Sequence, residues 1–89
     1  MKHQRRFETD TVAGARELAQ ISTLIADLHR AVAVLDVDIE TEEERVQVRD
    51  PAHPAYPTLA RSFRVRRYNL NATISGLQNR MQPVGTGAA

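Results

Sequence analysis

One periodic stripe constrains this chain more than any other feature. Leu18, Ile21, Ile25, Leu28, Val32, Leu35 and Ile39 follow one another at spacings of 3, 4, 3, 4, 3 and 4 residues. That is the heptad pattern of a helix lying lengthwise against another helix. Leu18, Ile25, Val32 and Ile39 take position a, and Ile21, Leu28 and Leu35 take position d. Leu24 and Ala31 fall at g and widen the stripe beyond a two-stranded seam. Ser22, His29, Asp36 and Glu43 fall at e and keep the other edge polar. Continued further, the repeat puts Glu42 at d and Val46 at a, so it frays as it enters an acidic run.

The stripe sits in a segment with few breakers. Thr9, Asp10 and Thr11 are suitable N-caps, and a first helix is expected from about residue 10 to 48. Gly14 costs about 1 kcal/mol relative to alanine in a helix interior but does not end it. Val37-Asp38-Ile39-Glu40 alternates like a strand and is rich in β-branched residues. The heptad crosses this stretch without a change of phase, so helix is the preferred reading.

Asp50-Pro51-Ala52-His53-Pro54-Ala55-Tyr56-Pro57 ends the first helix, because prolines remove donors and clash with the preceding turn. Pro54 or Pro57 suits the first turn of the next helix. A second helix is expected over about 57–82, with Leu59, Phe63, Leu70, Ile74, Leu77 and Met81 on one face and Arg66 and Arg67 interrupting the row. Residues 1–8 read as a flexible basic tail, 9–82 as one domain and 83–89 as a flexible C-terminal tail.

A connection this short favours an antiparallel helical hairpin, coiled-coil-like in its seam. Pairing residues whose numbers sum to about 105 aligns the stripes. Val46 then meets Leu59, Leu35 meets Leu70, Val32 meets Ile74, Leu28 meets Leu77 and Ile25 meets Met81. The same alignment sets the acids Asp36, Asp38, Glu40, Glu42, Glu43 and Glu44 beside Arg61, Arg64, Arg66 and Arg67. Tyr56 is placed to pack over the tip.

The expected fold class is therefore all-α. With 89 residues and no cysteine, disulfides cannot support so small a domain. Oligomerisation is the remaining common support. A second hairpin covering the wide stripe would make a dimeric four-helix bundle. Leu18, Ile21, Leu24, Ile25, Leu28 and Val32 are the expected interface residues.

Little chemistry is encoded. His29 and Asp36 stand two helical turns apart, about 10 Å along the axis, too far to share a ligand without a partner chain, and an enzyme built from them and a symmetry mate ranks third. The run Glu40-Thr41-Glu42-Glu43-Glu44 reads as a solvated face rather than a cation site. Gly85 and Gly87 follow no strand and make no phosphate loop. Ser22, Ser62 and Ser75 lack the setting of an activated nucleophile. No metal, cofactor or catalysis is expected.

The net charge is +1, giving no global field toward nucleic acid or acidic membrane. The cluster Arg61, Arg64, Arg66 and Arg67 could contact an anion, but neutralisation by the acids of the first helix is the better reading. Arginine outnumbers lysine 11 to 1, as in proteins of GC-rich bacterial genomes. The longest uninterrupted apolar run, Ala31 to Leu35, is far below the roughly 18 residues that span a bilayer. The expectation is a cytoplasmic, non-enzymatic helical protein that binds itself and another protein. The alternative is a nucleic-acid-binding accessory using Arg5, Arg6 and the Arg61–Arg67 cluster.

Overall fold

The computed structural model describes the backbone of residues 2–81 and the side chains of residues 14–81. It contains two helices, α1 (Lys2–Val46) and α2 (Thr58–Met81), packed against each other. The all-α helical hairpin expected from the stripe is thus observed. Residues 32–40 are helical throughout, so the strand reading of Val37–Glu40 does not hold. Val37 is 62% exposed and Ile39 4%, a difference that follows helical phase.

Helix α1 starts earlier than expected, at Lys2 rather than near residue 10. No proline or glycine precedes Gly14, and an established helix extends at little cost through residues of ordinary propensity. Most of the stretch expected as a basic tail is therefore helical backbone, with its side chains outside the described residues. The C-terminal tail expected at 83–89 also lies outside them.

The tip is held by a compact set of local bonds. Gln47 takes the left-handed conformation at φ 62°, and the Gln47 and Val48 amides both donate to the Glu43 carbonyl, at 2.8 and 3.3 Å. These bonds satisfy an end carbonyl of α1 and turn the chain out of the helix. Asp50 then organises the loop, its side chain accepting from the Ala52 amide and its carbonyl from the His53 amide. The His53 Nδ1 accepts from the Ala55 amide at 2.9 Å. Pro57 stands just before α2 and its carbonyl accepts from Arg61, so it caps the helix rather than lying in its first turn.

The core is a single seam. Ile21, Leu35, Ile39, Tyr56, Ala60 and Ile74 are its buried apolar residues. Along α1, burial recurs at Ile21, Ile25, Leu28, Val32, Leu35, Ile39, Glu42 and Val46, the a and d positions of the expected repeat. Along α2 it recurs at Ala60, Phe63, Arg67, Leu70, Ile74 and Leu77, again spaced 3 and 4.

One detail of the expected register is corrected. Leu59 is 51% exposed, whereas Ala60 is fully buried. Ala60, in phase with Phe63, takes the seam position expected for Leu59. Ile21 is buried and shares a hollow with Arg80 near the open end.

Candidate interaction surface

The two long edges of the hairpin differ in chemistry. On one edge, position e of α1 supplies Asp36 and Glu43. The Arg67 guanidinium donates to Asp36 Oδ1 at 2.7 Å, and Arg64 stands 3.9 Å from the Glu43 carboxylate. Arg67 occupies a seam position, only partly exposed, and reaches the edge through its long stem. What reads in the sequence as an interruption of the apolar row is a side chain that packs its stem and pairs its head.

Glu43 is the buried acid among the described residues, 8% exposed. Its carboxylate accepts the Tyr56 hydroxyl at 2.7 Å and has Arg49 at 3.8 Å and Arg64 at 3.9 Å. Burial, followed by the hydrogen bond to Glu43, pushes the Tyr56 hydroxyl above the usual tyrosine range. The Arg61 guanidinium lies 5.4 Å from the centre of the Tyr56 ring, within cation–π range. Tyr56 is thus the staple expected at the tip. Glu43 could not be singled out within a run of glutamates from sequence alone.

The opposite edge is apolar over much of its length. Leu24 is 46% exposed and Val34 60%. Between the helices a groove of about 400 Å³ is lined by Ala31, Val34, Leu35, Phe63 and Leu70, with Asp38 on one wall and Arg66 on the other. Leu59, seven residues before Arg66, continues this edge toward the tip. At the far end Arg80 pairs with Glu17 at 3.1 Å beside a second hollow that includes Gly14, Leu18 and Ile21.

The expected interface residues divide. Ile21 is buried within the chain, and Ile25, Leu28 and Val32 are half-buried in the same seam. Leu18 and Leu24 are 47% and 46% exposed. Of the four arginines expected as anion contacts, Arg64 and Arg67 face acids of α1 and Arg61 lies over Tyr56. Arg66 projects beside the apolar groove.

Other candidate chemistry stays dispersed. His29 and Asp36 are both exposed, and Asp36 is engaged by Arg67. Glu42 pairs with Arg45 one turn on, at 2.8 Å, and the hydrogen bond from Arg45 holds its carboxyl below the usual range. Asp27 pairs with Arg30 on the outer surface of α1. Among the described residues no group of three or more His, Cys, Asp or Glu side chains gathers into a metal site.

Residues Gly14–Val46 of α1 contain an 18-residue window of mean hydropathy 1.3, long and apolar enough by length and composition to cross a bilayer. A core helix of a soluble protein satisfies the same test. No family model, no curated protein and no solved structure matches this chain.

Proposed function

We propose that the chain is a non-enzymatic helical interaction protein that self-associates, as a dimer forming a four-helix bundle, and presents a helical surface to a protein partner. The observation that carries this reading is the thinness of the core. Among the described residues only seven apolar side chains are buried, Pro57 included, while Leu18, Leu24, Val34, Leu59 and other large apolar residues stay substantially exposed. Two helices form one layer, whereas stable small domains close a core between layers. A second layer against the apolar edge supplies what the hairpin lacks.

A cytoplasmic setting is part of the proposal. The most apolar 18 residues of α1, 18–35, carry Asp27 and Arg30 near their middle, and each charge would cost roughly 2.5–3.5 kcal/mol near the centre of a bilayer. Recovery in the soluble fraction without detergent is expected.

The rival nucleic-acid reading draws less support. Arg61, Arg64 and Arg67 already have partners within the chain, which leaves Arg66 as the one member of the cluster turned to the groove. No shift of DNA or RNA is expected even at about 50 mM salt, where phosphate contacts are strongest.

Sedimentation equilibrium of the full chain tests the main reading. A dimer at micromolar concentration is expected. A folded monomer throughout that range would remove it.

A further inference from the structure

Two side chains of opposite sign line the apolar groove. Asp38 stands on the α1 wall and Arg66 on the α2 wall, with Val34, Leu35, Phe63 and Leu70 between and around them. Among the described residues, neither Asp38 nor Arg66 belongs to an ion pair, while Asp36, Glu43, Arg64 and Arg67 on the opposite edge all do. The charges on that edge are satisfied within one chain. Those at the groove are arranged to be satisfied across two.

We propose that a second copy of the chain docks on this groove, with a two-fold axis running along it. Such an axis lays α1 of one copy over α2 of the other. Each Asp38 then faces the partner's Arg66, and the exchange occurs twice because a two-fold contact is self-complementary. Val34, exposed in the single hairpin, becomes covered. The inference rests on the self-association proposed above and specifies its face. Charge complementarity selects a second copy as the occupant, since one acid and one base on opposite walls match their own image under this rotation.

Three samples of the full chain test it by sedimentation equilibrium, with circular dichroism confirming helix: D38R, R66D, and an equimolar mixture of the two. Each variant alone sets like charges opposite one another at both sites, and a loss of dimer affinity of about tenfold or more is expected. In the mixture, a chain with two cations at the groove meets a chain with two anions, and affinity near that of the unaltered chain is expected. A pair formed within one chain cannot be repaired by mixing, so restoration is specific to the proposed contact.

If either variant loses its helix, Val34→Glu replaces it, with dimer lost and helix retained as the expected result. Variants that dimerise as well as the unaltered chain, or a mixture that stays monomeric, overturn the proposed face. In both cases a dimeric unaltered chain leaves the self-association reading standing. A monomeric unaltered chain overturns both.

Discussion

At the tip of the hairpin, Ile39, Glu43, Tyr56 and Ala60 are all buried. At the open end, Leu18 and Met81 are 47% and 37% exposed. Both ends use the same heptad spacing, yet only one is closed. The tip has a third element, since the loop folds Tyr56 and Pro57 back over the seam and ties Tyr56 to Glu43. The open end has only one helix running on past the other. Periodicity brings two helices together, but burial at a given layer depends on how many elements meet there.

The largest expected effect tests that difference in core cost. Ile39→Ala should destabilise by about 2–4 kcal/mol, because it opens a cavity in a closed layer. Leu18→Ala should cost clearly less than Ile39→Ala, because Leu18 is 47% exposed in the hairpin and leaves no closed cavity. Urea unfolding at one fixed protein concentration measures both, a fixed concentration being needed because self-association adds to apparent stability. Equal losses would show that the open end is as closed as the tip, and the comparison would fail.

Next in size is the buried polar contact. Glu43→Ala should cost about 1–3 kcal/mol, since it leaves the Tyr56 hydroxyl without its acceptor. The contact also predicts an alkaline dependence. Tyr56 titrates above its unfolded value when folded, so the folded state holds its proton more tightly. That stabilisation is fully present below about pH 10, the unfolded tyrosine value, and is lost as pH rises through the folded value. Tyr56→Phe should remove this part of the alkaline loss. A variant with an unchanged slope of stability against pH above 10 would show that Tyr56 does not carry it.

Smaller effects concern where glycine stands. Gln47 holds a left-handed conformation that glycine adopts without strain, and Gln47→Gly should stabilise the tip by about 0.5–1 kcal/mol. Gly14 lies within α1 with open space where a side chain would begin, so Gly14→Ala should gain about 0.5–1 kcal/mol through helix propensity. Thermal melts resolve either change. A loss at Gln47→Gly would mean that the amide of its side chain, which donates to the Glu44 carbonyl at 2.7 Å, outweighs the backbone strain.

The smallest effect is expected at the exposed ion pair of the open end. Arg80→Ala should change stability by less than about 0.5 kcal/mol, because both partners are more than half exposed and solvent screens them. A loss as large as that of Glu43→Ala would mean that the open end is anchored electrostatically, reversing the contrast with the tip.

The sequence alone determined the helices, the break between them and the seam of α1. These are written in local periodicity and in proline chemistry, which act through sterics and burial at fixed spacing. It also indicated that the acids of α1 and the arginines of α2 would meet, because both patterns require the same antiparallel arrangement. The tertiary structure decided which small residue fills the seam. Ala60 replaced Leu59 because phase along the helix, not side-chain size, selects what points inward. It also decided that Arg67 belongs to the seam, and that Glu43 among several glutamates becomes the buried acceptor of Tyr56. Those outcomes depend on where the loop returns the chain, a three-dimensional constraint that no run of neighbouring residues records.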